Sequence, residues 1–162
     1  MTYVYVALGA NLESPAAQLD DAIKALKLIA SDGIINVSPY YRSAPMGEVE
    51  QPDYVNAVAS FHCDLAPIPL LDALQGIEHQ QGRVRNIRWG ARTLDLDLLL
   101  YGNQTINQPR LTVPHYGIKQ RSFVLIPLAD IAPALILPCG TPLASLINNE
   151  LAMQLQQLGP DH

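Results

Sequence analysis

The sequence predicts an α+β domain with helices packed on one face of an antiparallel sheet. Three observations carry this reading. Segments 54–63 and 93–101 have the alternation or apolar run of strands, segments 15–30 and 67–81 repeat apolar residues at helical spacing, and the chain order is strand, helix, strand, strand, helix, strand. That is the βαββαβ order of a ferredoxin-like sandwich, with the second face of the sheet expected to be open and the residues past 101 forming a C-terminal extension.

The first strand is Thr2–Leu8, an apolar and β-rich run ended by Gly9. Gly9, Ala10 and Asn11 turn into a helix capped by Ser14 with Pro15 at its first position, and Leu19, Ile23, Leu26 and Ile29 form its buried stripe. Asp32 and Gly33 stop it. The next strand, Ile34 to about Arg42, is weakened by Pro39, which favours an edge. Ser43–Pro52 holds two prolines, a glycine and two glutamates, so it is a candidate mobile substrate loop, with an ordinary hairpin connection as the alternative.

Tyr54–Cys63 alternates cleanly. Val55, Ala57, Ala59, Phe61 and Cys63 take one face and Tyr54, Asn56, Val58, Ser60 and His62 the other. An aromatic ring beside an amide on an open sheet face could hold a flat heterocycle, although a solvated face is the default expectation. The second helix runs from Pro67 to Gln81 with Leu70, Leu71, Leu74 and Ile77 inward and Gly82 as its stop, and it brings Gln75 and Glu78 onto neighbouring positions.

The chemistry concentrates in Gly82–Gly102. Arg83, Arg85, Arg88 and Arg92 are four of only ten basic residues in the chain and fall within one short run that also carries Trp89. Guanidinium groups present a fixed fork of donors to phosphate oxygens, and a tryptophan in this polar setting is either a core plug or a lid over a flat ligand. On the strand that follows, Asp95 and Asp97 share a face about 7 Å apart, with Leu94, Leu96, Leu98 and Leu100 on the other. Two like charges so placed need a wet face or a cation, and Mg2+ is usually held by one or two carboxylates with waters and phosphates completing its shell. Arginines with paired aspartates imply phosphoryl-type transfer. No GxxxxGK[ST], GxGxxG, HRD or DFG motif occurs, so a P-loop or protein-kinase fold is not expected.

Beyond Tyr101, GNQ reads as a turn and RLTVPHY as an extended surface segment that gathers Arg110, Thr112, His115 and Tyr116 with Lys119 and Arg121. Phe123–Ile131 is expected to be helical despite Pro127, and Pro142–Leu158 to be a final amphipathic helix.

At 162 residues, with 49% hydrophobic and 15% charged residues, the chain is expected to be a single catalytic domain over 1–162. A net charge of -5 argues against nucleic acid as a partner. The opening MTYVYVALGANLESP lacks the basic region and long apolar run of a secretory leader, and no stretch approaches a membrane span, so a cytoplasmic location is expected. Cys63 and Cys139, far apart and outside any CxxC, are expected to be reduced. Nothing demands a partner chain, and a monomer is expected.

With these residues assembled, the chain resembles the 6-hydroxymethyl-7,8-dihydropterin pyrophosphokinases of folate biosynthesis. The likeness covers about residues 2–140 and is densest in RWGARTLDLDLLLYG and RLTVPHY. It implies transfer of the β,γ-diphosphate of ATP to the dihydropterin hydroxymethyl group with release of AMP. It further implies two Mg2+ ions on Asp95 and Asp97, with Asp97 also orienting or deprotonating the hydroxyl, and Arg83 and Arg92 stabilising transition-state charge. By the same resemblance, Gln75, Glu78, Arg85, Trp89, Leu98, Arg110, Thr112, His115, Tyr116 and Arg121 contact ATP. Ser43, Ala44, Met46, Tyr54, Asn56 and Phe123 contact the pterin, with Tyr54 and Phe123 on its two sides and Trp89 closing over it. The chain departs from the commonest family pattern at GAN after the first strand, at SAPMG, at Gly76 and in an arginine loop one residue shorter than in some relatives. None of these removes a catalytic group.

Two rival classes share the fold: a ferredoxin-like RNA-binding module, and a regulatory domain that binds metal and ligand without turnover. The first lacks an RNP1-like run of aromatics. The second is separated only by an activity assay.

Overall fold

Strand β1 (Thr2–Ala10) sends Val4, Val6, Leu8 and Ala10 into the interior and leaves Tyr3, Tyr5, Ala7 and Gly9 on the opposite face. The computed structural model, which describes residues 2–10, 15–43, 54–81, 94–115, 122–148 and 155–157, puts this strand inside a six-stranded sheet, one strand in from its edge. Along one edge of β1 runs β4 (Tyr54–Cys63), in register from Thr2 opposite Cys63 to Ala10 opposite Val55. Along its other edge runs β5 (Asp95–Tyr101), from Val4 opposite Tyr101 to Gly9 opposite Asp95. The short strands β2 (Asn36–Val37) and β3 (Tyr41–Ser43) pair with the far edge of β4, and β8 (Leu155–Gln157) closes the sheet outside β3. Every neighbouring pair is antiparallel, as the ferredoxin-like order predicts.

Helices α1 (Pro15–Ile29) and α2 (Pro67–Gln80) cover one face. Leu19, Ala22 and Leu26 of α1 and Leu70, Leu74 and Ile77 of α2 pack with the inward residues of β1, β4 and β5 in one core, joined at its margin by Ile23, Ile29 and Leu71. Pro67 begins α2 without a side-chain cap, which a proline at the first position tolerates because its missing N–H would have had no helical partner.

The sheet departs from expectation in five places. First, β1 runs through Gly9 to Ala10 instead of ending at Leu8, because Gly9 remains paired on both sides. Second, the strand expected over Ile34–Arg42 is broken into β2 and β3 by Ser38–Pro39–Tyr40. Proline brings no N–H to the ladder, and the Ser38 hydroxyl patches the gap. Val58 N–H donates to Ser38 Oγ at 3.0 Å while Ser38 N–H donates to the Val58 carbonyl at 2.9 Å.

Third, Leu100 does not share a face with Leu96 and Leu98. The register of β5 against β1 shifts so that Tyr5 faces Leu100 and Val6 faces Leu98. One extra residue, Leu99, inverts the alternation. Leu99 and Leu100 therefore enter a second core, and Tyr101 turns back to the first, its hydroxyl donating to the Leu65 carbonyl at 2.6 Å.

Fourth, the face expected to be open is partly covered. Helix α3 (Ser122–Ile131), with Pro127 inside it, buries Val124, Leu125 and Leu128 against Val58, Leu99 and Leu100. Leu143, in a short 3-10 turn at Leu143–Leu146, completes this core. Fifth, where a final helix is expected over Pro142–Leu158, the described residues form that turn and β8, which supplies hydrogen-bond partners to the otherwise exposed edge of β3. Pairing an edge outweighs local helical periodicity here.

The segment RLTVPHY also does more than lie on the surface. It forms the second strand of a hairpin, β6 (Ile106–Gln108) with β7 (Leu111–Val113), which inserts Ile106, Leu111 and Val113 into the main core and leaves Thr112 outside. The turn leading to it needs Gly102, whose φ of 56° suits a residue without Cβ. Cys63 is buried and Cys139 exposed, and neither is in a disulfide.

Two adjacent tyrosines tie β3 and its approach to both layers. Tyr40 lies in the helix-side core and its hydroxyl donates to Asp20 of α1 at 2.5 Å, while the Tyr41 hydroxyl donates to Asp130 of α3. Burial, reinforced by the Asp20 carboxylate, pushes the Tyr40 hydroxyl well above the ordinary tyrosine value. Because the folded state holds this proton more tightly, its stabilisation is complete below about pH 10 and is lost as pH rises beyond that. Tyr40→Phe is expected to cost about 1–3 kcal/mol at neutral pH. Thermal melts should show the variant losing less stability than the parent as pH rises above about 10.

Candidate active site

Because β1 lies between β4 and β5, its small outward residues decide which side chains can meet over it. Gly9 is opposite Asn56 on one side and Asp95 on the other, and Ala7 is likewise flanked by Val58 and Asp97. All of these share the face away from α1 and α2. A Cβ built on Gly9 would sit 3.1 Å from Asn56 Oδ1, so the amide occupies the space that glycine leaves free. Asn56 is nearly buried, at 6% exposure, while the Asp97 side chain is 50% exposed. The two aspartates therefore share the wet end of a face whose middle is sealed by α3.

The free edge of β5 is held from two sides. Glu78, only 4% exposed on the last turns of α2, accepts the Leu96 N–H at Oε2 over 2.8 Å. That amide lies between the two aspartates in sequence, so the buried carboxylate fixes the backbone that carries both. Three residues on, the carbonyl of the bulged Leu99 accepts the His115 N–H at 3.1 Å. His115 follows the cis Val113–Pro114 bond at the end of β7, and its Nε2 lies 4.0 Å from Asp97 Oδ1.

A second polar group lies on the outer surface of α2. Arg110, just before β7, donates through Nη2 to Asp72 Oδ1 at 2.6 Å and approaches Gln75 Oε1 at 3.4 Å. Both members of the ion pair are half-exposed, so the contact orients the guanidinium more than it stabilises the fold.

The sequence-predicted residues thus separate into groups. Asn56, Asp95, Asp97 and His115 come together on one sheet face, and Gln75 with Arg110 forms a neighbouring edge. Glu78 is drawn inward to the backbone of β5. Leu98 faces the core. Thr112 is exposed on β7. Ser43 ends β3, Tyr54 begins β4 and Phe123 lies in the first turn of α3. Ala44, Met46, Arg83, Arg85, Trp89, Arg92, Tyr116 and Arg121 lie outside the described residues, as do the loops over 44–53 and 82–93. Gly9, Asp72 and Tyr41 escaped the sequence reading. Only Gly9 carried a local signal, as a glycine at the end of a strand-like run.

Among the described residues, no group of three or more His, Cys, Asp or Glu side chains assembles as a metal cage. None of the described helices is long and apolar enough to cross a membrane.

The family model of 7,8-dihydro-6-hydroxymethylpterin-pyrophosphokinase (HPPK) matches residues 5–133, a span that includes every one of these groups. The chain belongs to the HPPK family. It is 47% identical over 160 residues to the 2-amino-4-hydroxy-6-hydroxymethyldihydropteridine pyrophosphokinase of Haemophilus influenzae, covering 99% of this chain and 100% of that one. It is 54% identical over 144 residues to the pyrophosphokinase of the same name from Pseudomonas aeruginosa, covering 89% of each. Among solved structures, the Plasmodium falciparum HPPK-DHPS with pteroate superposes with a TM-score of 0.77 at 12% identity, over 96% of this chain and 47% of that longer one. At that identity the likeness speaks for the ferredoxin-like fold alone. Family membership makes the protein a pyrophosphokinase, a kinase-type transferase of folate biosynthesis.

Removing the Glu78 acceptor should loosen the strand that bears the aspartates. Glu78→Ala is expected to lower stability by about 1–3 kcal/mol, since it takes the side-chain acceptor from the Leu96 N–H. Glu78→Gln, which keeps an oxygen acceptor, should recover most of that loss in urea titrations.

Proposed function

We propose that this HPPK transfers the β,γ-diphosphate of ATP to the hydroxymethyl oxygen of 6-hydroxymethyl-7,8-dihydropterin on the sheet face that carries Asp95 and Asp97. The hydroxyl oxygen bonds to the β-phosphorus, the bond from that phosphorus to the α,β-bridging oxygen breaks, and AMP leaves with that oxygen. The observation that carries this reading is the row Asn56–Gly9–Asp95 with Asp97 beside it: an amide and two carboxylates converging across a glycine on one sheet face, with Asp97 open to solvent. The names of the Haemophilus and Pseudomonas relatives support the choice of pterin.

Asp95 and Asp97 suit Mg2+. They offer hard oxygen donors, Asp97 is open to solvent, and this cation needs only one or two carboxylates when phosphates and waters supply the rest. Bound there as the two ions that the family resemblance implies, it would neutralise phosphate charge. Asp97 is the carboxylate we assign to orient the substrate hydroxyl and take its proton, and His115 is the side chain beside it that faces the phosphates.

Asn56 presents two donors and an acceptor to the polar edge of the pterin, in the room that Gly9 leaves. Ser43, Ala44 and Met46 line the same ligand, with Tyr54 and Phe123 on its two sides. Gln75, Arg110 and Thr112 form a polar edge for the nucleotide, joined by Glu78, Leu98, Arg85, Tyr116 and Arg121. Arg83 and Arg92 meet the charge that spreads over the transferred group, and Trp89 closes over the site, since excluding water protects that group from hydrolysis.

Asp97→Ala should keep its circular dichroism spectrum and lose at least about a hundredfold in kcat. Turnover retained within a few fold would remove Asp97 from the reaction. In Gly9→Ala, the added methyl should displace the Asn56 amide. The expected result is a higher KM for the dihydropterin with little change in KM for ATP, measured in steady-state assays varying one substrate at a time.

A further inference from the structure

Two of the elements that carry the proposed pterin contacts, β3 and α3, are joined among the described residues by a side-chain pair that none of those contacts includes. Tyr41, in β3, is the cross-strand partner of Asn56 and therefore shares its face. Its hydroxyl donates to the Asp130 carboxylate in the last turn of α3. Two residues after Tyr41 the strand ends at Ser43, and seven residues before Asp130 the helix carries Phe123, about 10 Å away along its axis. Tyr41 is buried, at 7% exposure, whereas Asp130 is exposed, so the bond runs from the interior of the sheet face to the rim of the helix. Among the described residues it is a polar tie between β3 and a helix that packs on the sheet through Val58, Leu99 and Leu100.

Apolar packing sets a helix against a sheet but tolerates small sliding, whereas a hydrogen bond from a buried hydroxyl to a carboxylate on the helix favours one distance and direction. We propose that the Tyr41–Asp130 hydrogen bond sets the spacing between β3 with Asn56 and the α3 wall of the pterin site, making both side chains positioning residues for the flat substrate. This deepens the proposed pyrophosphokinase reading and rests on it. Neither side chain touches the reacting atoms, so the effect falls on the binding of one substrate.

Tyr40 supplies an internal control. It is the neighbouring tyrosine and also donates to a carboxylate, but it ties the chain to α1 on the opposite layer. A role in stability alone would make the two tyrosines equivalent.

The test is steady-state kinetics of the full chain with Mg2+, ATP and 6-hydroxymethyl-7,8-dihydropterin, for the parent, Tyr41→Phe, Asp130→Ala, the double variant, Asp130→Asn and Tyr40→Phe. Tyr41→Phe and Asp130→Ala are expected to raise KM for the dihydropterin by roughly fivefold or more while KM for ATP stays within about twofold. The double variant should be no worse than either single change, and Asp130→Asn, which keeps an acceptor oxygen, should restore most of the loss. Tyr40→Phe should leave both KM values unchanged. The inference is overturned if KM for the dihydropterin does not move, if both KM values rise together, or if Tyr40→Phe reproduces the effect. If Tyr41→Phe fails to fold, the contrast between Asp130→Asn and Asp130→Ala decides in its place. A parent protein that turned over no dihydropterin would overturn the pyrophosphokinase reading and this inference with it, whereas normal parent turnover with unmoved variants would overturn this inference alone.

Discussion

The alternation of β5 is the constraint on which the rest depends. Leu94, Leu96 and Leu98 are buried against α1 and α2, and each contributes roughly 1.5–3 kcal/mol when taken out of water. Their burial forces Asp95 and Asp97 outward together. A slip of one residue would expose the leucines and drive two carboxylates into the core, which costs far more than any surface contact could return. Core packing thus aims the candidate metal ligands without any interaction between them. The bulge at Leu99 ends this arrangement one residue after Leu98, turning β5 to serve the second core and offering a carbonyl to His115.

The same economy appears around β3. This short strand, following a proline break, would be a weak edge on its own, and three devices hold it: the Ser38 hydroxyl in the ladder, β8 along its outer side, and the tyrosine pair reaching to α1 and α3. The chain leaving it toward the residues proposed for the pterin therefore starts from a fixed point even though two layers of the molecule meet there. The proposed pterin site lies where helix-side and α3-side packing are both registered to one strand.

Much of this was legible in the sequence, because the relevant signals were local and periodic. The faces of β4, the inward stripes of α1 and α2, and the pairing of Asp95 with Asp97 all follow from spacing alone, and the motifs in RWGARTLDLDLLLYG carried the family. What escaped depends on long-range choices. A bulge at Leu99 cannot be seen in an unbroken run of leucines, since either parity is equally apolar. The role of Ser38 depends on its partner strand, and the strand at Leu155–Gln157 exists because β3 had an edge to fill, against a helical periodicity that pointed elsewhere. The covering of the second face by α3 was missed because an apolar helix does not reveal which surface it seeks. At the site, Glu78 was singled out as a nucleotide contact by resemblance, while its bond to the Leu96 N–H required the fold. Asp72 and Asp130 had no pattern to mark them.

The central claim is diphosphate transfer from a face bearing two carboxylates, and the nucleotide product tests it most directly. Chromatography of a reaction containing the protein, Mg2+, ATP and 6-hydroxymethyl-7,8-dihydropterin should show AMP appearing in step with the pterin diphosphate. ADP in its place would mean transfer of a single phosphoryl group and would contradict the account. Intact ATP would contradict it as well, leaving a domain of this fold that binds without turnover.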